Sequence, residues 1–353
     1  MRITRVNAAC LGAVFAMATF MALSAHAEDT EDSHFSILLR LQPELIHVDG
    51  SAAEQADKEG WHLTDGWGNG TKNSHNWGAL FIDGGFGVTS NTRVIGRLGF
   101  NVDMEGLKDG DAREREVQVG IEGPWGRLLV GRLETPYKKA GLGWDPLNAT
   151  FLQARANIGR SGGAFGHGSY VDNALSYAHR IGELDFELFG AVDDVSDIGS
   201  GGTSGNHAWG LSMNYSVGSV VLMLAHIDAS EFQQGPDERT GTKLGARWSG
   251  DRWTLGGHYE FRGEGLENGD FVFLTASYRI DDHWNVMTNL GRFVDDENQD
   301  DGDYLAIGAR YSFDRRFSVH GGVRRISRDT SGNENIAGVG MRILLSSGNL
   351  LDR

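Results

Sequence analysis

Between residues 33 and 346 the chain is a succession of roughly ten-residue stretches in which apolar and polar residues alternate, joined by connections that are tight, then long, then tight again. Tight joints fall at Gly123-Pro124-Trp125-Gly126, Ile181-Gly182-Glu183, Val217-Gly218-Ser219, Ser249-Gly250-Asp251-Arg252, Asp281-Asp282-His283 and Asp314-Arg315-Arg316. Longer Gly- and Asp-rich segments lie between them. A soluble sandwich has no reason to sort its connections this way. A membrane barrel does, because its two rims face different compartments. Sixteen such stretches can be read, from 33–48 to 334–346. The expected fold is all-β: an antiparallel, 16-stranded transmembrane β-barrel.

The alternation also assigns faces. Leu305, Ile307, Ala309, Tyr311 and Phe313 alternate with Ala306, Gly308, Arg310 and Ser312, so one side suits lipid and the other water. Trp253, Leu255, Gly257, Tyr259 and Phe261 likewise alternate with Arg252, Thr254, Gly256, His258, Glu260 and Arg262. So many charges cannot fill a dry core without heavy desolvation cost, and the polar set therefore lines a water-filled lumen. On this reading Arg180, Arg247, Arg252, Arg262, Arg279, Arg310, Arg324 and Arg342 point inward, opposed by fewer acids such as Asp185, Glu187 and Glu260. Either the surplus of arginine favours anions, or the arginines pair with loop carboxylates and leave no bias. Trp125, Tyr215, Trp248, Trp253, Tyr278, Trp284, Tyr311, Phe313 and Phe317 gather beside the tight joints, as an interfacial girdle would.

Arg2 and Arg5, an apolar run from Ala8 to Leu23 and the Ala25-His26-Ala27 site read as a secretory signal peptide over residues 1–27. That leaves a barrel of residues 28–353. Cys10, the only cysteine, would leave with the leader, which excludes a disulfide framework and thiolate metal sites. The 51 glycines against 5 prolines suit crowded strands that need every backbone donor. The formal charge of -16 becomes -18 without Arg2 and Arg5, and argues against a nucleic-acid partner. The run from Asp295 to Asp303 reads as a solvated acidic loop, or as one that gathers divalent cations at a lipopolysaccharide surface.

Between the fifth and sixth stretches the chain spends residues 135–170, including Trp144, Leu147, Phe151, Leu152, Ile158 and Phe165. This is too apolar for a surface tail, so it is expected to fold into the lumen. Its entry, Gly131-Arg132-Leu133-Glu134-Thr135-Pro136-Tyr137-Lys138, and its exit, His167-Gly168-Ser169-Tyr170-Val171-Asp172-Asn173-Ala174-Leu175-Ser176-Tyr177, resemble the constriction loop of the general diffusion porins of Gram-negative outer membranes. The preceding Arg115-Glu116-Val117-Gln118-Val119-Gly120-Ile121-Glu122-Gly123 and Trp125-Gly126-Arg127-Leu128 are similar to a hairpin of the same family.

The resemblance implies a homotrimer of pores in the outer membrane, passing small hydrophilic solutes and ions without a cofactor, each narrowed by its third loop. It implies loop charges at Glu134, Lys138, Lys139, Asp145, Arg155 and Arg160, facing wall cations at Arg40, Arg97 and Arg115. Arg115 shares parity with Val117 and Val119, so either those valines line the lumen, with Glu116 and Gln118 turned to a neighbouring subunit, or Arg115 points outward. The stretch Ala337–Leu345 is similar to the family's closing strand, but Ser346–Arg353 follow where a terminal aromatic is expected.

Catalysis has little support. Gly159-Arg160-Ser161-Gly162-Gly163 lacks the context of a nucleophile elbow, and no two histidines have zinc-site spacing on one element. A surface receptor or adhesin would lengthen its outermost loops, whereas this chain enlarges the one able to narrow a lumen. A substrate-specific channel would need a continuous ladder of arginines or aromatics along one wall.

Overall fold

The computed structural model describes residues 33–68, 71–72, 78–104, 114–155, 157–163, 165–168, 170–192, 207–231, 240–263, 269–296 and 300–348. The expected leader and the middle of the acidic loop at 297–299 lie outside them.

Sixteen wall strands close into one antiparallel barrel. The first is His34–Leu41, continued by Glu44–Asp49. Ala79–Thr89, Thr92–Asn101, Glu114–Gly123, Gly126–Leu133, Val171–Ile181 and Leu184–Val192 follow. His207–Val217, Val220–Asp228, Thr240–Ser249, Trp253–Arg262, Gly269–Arg279, Trp284–Asp295, Gly302–Ser312, Phe317–Arg328 and Gly332–Ser346 complete the wall. The ends meet in register from Leu38↔Ser346 to Leu41↔Ile343. The first strand is not continuous as expected. Pro43 has no N–H to give the ladder, and the chain steps there. Below the step it pairs with Ala79–Thr89; above it, it pairs with an additional strand, Gly60–Thr64, not anticipated from the sequence. Helix Ser51–Gln55 and the two-residue strands Trp67–Gly68 and Thr71–Lys72 belong to the same first connection.

The two faces follow the sequence period. Leu222, Leu244, Leu274, Leu290, Leu305 and Ile307 are exposed on the outside, whereas Tyr304 and Ala306 are buried within. A leucine left in water forfeits about 1.5–3 kcal/mol relative to burial, so a band of them requires lipid. At the tight-turn rim the aromatics touch as a girdle: Trp253 lies 4.6 Å from Tyr278, Trp284 5.0 Å from Tyr311 and Phe313 4.9 Å from Phe317, between ring centroids. The inner face is less uniformly wet than the alternation suggests. Phe271, Phe273, Met287 and Ile336 also point inward, and they are dry because they pack in one cluster with Leu147, Phe151, Leu152 and Ile158 of the third connection and with Ile46, Val48, Ala53 and Trp67 of the first strand and its connection.

Candidate functional site: a loop moored across the barrel

The long third connection is ordered from its first turn. Thr135 caps the short helix Pro136–Lys139, its Oγ1 accepting from Lys138 N at 3.1 Å, with Pro136 at the position where a missing N–H costs nothing. Gly141, at φ 67°, takes the left-handed turn that redirects the chain into Leu142–Trp144. Asp145 then organises the tip. Its carboxylate accepts from Leu147 N at 2.8 Å, Ala154 N at 3.0 Å and Asn289 Nδ2 at 2.6 Å.

Two moorings hold this loop to the wall. Near its root, Lys243 Nζ donates to Tyr137 O and Ala140 O at 2.7 Å and to His167 Nε2 at 2.8 Å. Glu260 accepts from Tyr137 OH at 2.8 Å and Ser161 Oγ at 2.6 Å, and meets His258 Nε2 at 2.9 Å. Arg262 Nη1 donates to Phe165 O at 3.0 Å. At the tip, Arg324 Nη1 donates to Phe151 O at 2.7 Å, Arg310 to Pro146 O at 3.1 Å and Arg342 to Ala149 O at 3.0 Å. Glu44 Oε1 accepts from Phe151 N at 3.2 Å and meets His320 Nε2 at 2.8 Å, and Tyr304 OH donates to Leu152 O.

Inward-facing glycines make room between these bonds. A Cβ on Gly308 or Gly322 would stand 2.7 Å from Leu152 Cδ1, and one on Gly291 would stand 2.5 Å from Gly159 Cα. The wall is therefore hollowed where the loop sits, and the glycine-rich composition has a concrete use. Leu147, Phe151, Leu152 and Ile158 complete an apolar cluster with Phe273, Met287 and Tyr304, while Tyr137, Trp144 and Phe165 do so with Ala208, Met223 and Ile227.

These moorings run from Lys139, ion-paired to Glu187, round the wall to Glu44. The opposite arc carries Arg40, Asp83, Arg97, Arg115 and Glu116. Arg97 Nε pairs with Asp83 at 2.6 Å and its Nη1 with Glu116 at 3.4 Å. The Arg115 parity problem has a structural answer. Register slips between Gly99↔Glu116 and Phe100↔Glu114, leaving Arg115 in a bulge. The bulge turns Arg115 inward, over Tyr170 at 5.5 Å and within 3.0 Å of Asn101 Oδ1. Val119 stays exposed outside, and Glu116 and Gln118 face the lumen. The expectation that those two meet a neighbouring subunit is thereby corrected.

On the loop, Lys138 Nζ lies 2.7 Å from Glu134 and 4.1 Å from the Tyr170 ring centroid. Burial dominates its titration and, with Arg155 and Arg115 nearby, outweighs Glu134, so its ammonium is pulled down to about 8. Burial likewise draws Arg155 to about 10. Tyr170 is pushed up by burial, then by Glu134, and stays neutral.

Of the remaining loop charges, Arg160 is fully buried, donating to Gly141 O at 2.9 Å and lying over Phe273, and Asp145 belongs to the tip's own bonding. Of the wall cations, Arg262 and Arg324 lie beneath the loop as mooring groups rather than in the open passage. Arg247 lies near Trp144 at 5.7 Å. Arg180 and Arg279 stand at the tight-turn rim, exposed, with Arg180 3.8 Å from Asp185 and Arg279 bonded to Asp251 O. Below the loop a cavity of about 600 Å³ is lined by Arg93, Arg127, Lys139 and Arg180 together with Glu122, Asp185 and Glu187. Lys243, Glu44, Asn289 and Tyr304 were not singled out in the sequence; Lys243 shares the inward parity of Arg247, which could have found it.

His167, His258 and Glu260 come close enough to share a cation, yet the donor set does not suit one. His167 Nε2 already accepts from Lys243 and from Arg160, at 3.0 Å, so two fixed positive charges occupy the ligand lone pair. The trio serves the mooring.

Solved barrels share this architecture. The anion-selective porin from Comamonas acidovorans superposes with a TM-score of 0.73 at 16% identity, over 89% of this chain and all of that one. A loop-deletion mutant of the Vibrio cholerae outer membrane protein OmpT gives 0.66 at 14%, over 89% and 99%. A mutant of the Rh. blastica porin gives 0.67 at 17%, over 88% and 100%. At these identities the likeness is one of fold. Comparison with curated proteins gives no match. The family model described as Gram-negative porin, however, matches residues 13–331. The alternating strands, the closed 16-strand wall and that match agree: this chain belongs to the Gram-negative porin family, a β-barrel diffusion channel of the outer membrane.

Proposed function

We propose that the barrel is a weakly anion-preferring passive channel for small hydrophilic solutes and ions, narrowed by residues 135–170. The observation that carries the preference is the charge at the loop's open edge and the arc facing it. Arg40, Arg97 and Arg115 stand there half-buried, Arg310 and Arg342 lie half-buried at the tip, and Lys138 and Arg155 are buried in the loop close to Arg115, against Asp83, Glu116 and Glu134, whose carboxylates are already engaged by Arg97 and Lys138. A surplus of fixed cations in a narrow, low-dielectric passage enriches anions. Among the described loop acids, Asp301 and Asp303 are paired with Arg292 and Asp300 with Arg328, so they do not oppose this. The resemblance to anion-selective Comamonas porin in fold is in keeping with the reading.

The mature chain begins at Glu28, assembles as a homotrimer and contacts lipopolysaccharide at its long-loop rim. Among the described residues, the buried polar clusters are read as holding the loop rather than as catalytic groups. Single-channel recording in a planar bilayer under a KCl gradient tests the proposal. Large steps with an anion-favouring reversal potential are expected; a cation-favouring reversal refutes the charge assignment, and a folded barrel without conductance refutes the channel.

A further inference from the structure

We infer that Lys243 and Glu260, neither of which lies in the open passage, are positioning residues for ion selectivity, acting as a paired charged clamp on the root of the third loop. They are register partners on adjacent strands and are fully buried. Two opposite charges on neighbouring strands ordinarily satisfy each other. Here each turns to the loop instead. The ammonium's three donors find three acceptors, two of them the carbonyls of Tyr137, within the helix Pro136–Lys139, and of Ala140, its C-cap. The carboxylate takes the Tyr137 hydroxyl from the same helix and Ser161 from the loop's return path.

His167 joins the two, with Nε2 toward Lys243 and Nδ1 within 3.7 Å of Glu260. Buried ionic groups with every hydrogen bond filled fix one geometry, because any displacement strands a charge in a dry site. The geometry fixed is that of the helix bearing Lys138 and Lys139. The clamp thereby sets where the loop's cations stand relative to Arg40 and Arg115, without its own charge entering the passage.

The inference rests on the proposed role of the loop in narrowing the current path, and the test separates the two. Lys243→Met combined with Glu260→Gln removes one charge of each sign, so the net charge is unchanged and any shift in selectivity is positional. Purified full-length barrel carrying both substitutions is compared with the unsubstituted protein under the same KCl gradient. The expected result is at least a twofold change in the anion-to-cation permeability ratio, with open-channel current noise raised severalfold. An unchanged ratio and unchanged noise in a folded barrel overturn the inference.

Tyr137→Phe, which is nearly isosteric and removes only the hydroxyl that bonds Glu260 and meets Arg262, serves if the double variant does not fold. It should raise the noise and move the ratio in the same direction by a smaller amount; wild-type behaviour in that variant overturns the inference equally. Arg115→Ala reports on the passage itself. If it leaves the reversal potential unmoved, the constriction reading fails. If it moves the potential while the clamp variants do not, the clamp fails alone.

Discussion

Raising the pH from 7 to 9 is expected to weaken the anion preference through one residue, Lys138. Burial beneath Tyr170 holds its ammonium to about 8, so it is about nine-tenths protonated at pH 7 and about one-tenth at pH 9. The pore therefore loses most of one positive charge. At ~5 Å from a passing ion that charge is worth about 0.8 kcal/mol in water, and screening at 0.1 M salt cuts this to about 0.5 kcal/mol. The effect has opposite sign for anions and cations, which doubles it in their ratio to about 1 kcal/mol, or about fivefold. Reversal potential in a tenfold KCl gradient, titrated from pH 7 to 9, measures it directly. Tyr170 is held neutral across this range by burial and Glu134. Lys138→Met should sit near the high-pH value of the wild type and be nearly flat with pH. If Lys138→Met titrates like the wild type, or if neither responds, the placement of Lys138 at the constriction is wrong.

Arg115→Ala should reduce the anion preference at all pH values from 6 to 9, since a guanidinium does not titrate there; an unchanged reversal potential would count against the bulge having turned it inward. Gly308→Leu fills the hollow that receives Leu152, and overpacking of this kind costs about 1–3 kcal/mol, so thermal unfolding should fall while circular dichroism stays strand-rich. A variant as stable as the parent would show that the tip is not seated on the wall. N-terminal sequencing of protein extracted from outer membranes should begin at Glu28, and a start elsewhere would revise the leader boundary.

Most of the barrel was legible because each wall strand obeys one rule, a period of two with lipid on one side, and the tight joints mark the rim. Leu305 and Ile307 outside and Arg310 inside needed nothing more. The failures have one origin. Period-two reasoning assumes an uninterrupted ladder, and it broke at Pro43, where the strand steps, and at Arg115, where one extra residue inverts the parity of everything before it. The loop charges were harder still. Arg160, Arg262 and Arg324 carry the residue type of a selectivity filter and the geometry of a mooring. Nothing in their local sequence separates a guanidinium facing water from one facing a carbonyl, because that depends on how the loop folds, back on itself for Arg160 and across the wall for Arg262 and Arg324, whose carbonyl partners lie 97 and 173 residues away.

The closure seam has a kinetic meaning. Ser347 N donates to Ile37 O at 3.0 Å, and its hydroxyl accepts from Ile37 N, joining residues 310 apart in sequence. The strand Gly332–Ser346 pairs along its length with Phe317–Arg328 on one side, and on the other with both halves of the stepped first strand. Until that last segment has been exported, His34–Leu41 and Phe317–Arg328 each present an unpaired edge, which no lipid can satisfy. Such a wall cannot be inserted strand by strand as it leaves the ribosome. The chain must be carried across the periplasm whole and shielded, and a truncation before Gly332, which removes only the last 22 residues, would expose two edges while leaving nearly the entire sequence intact.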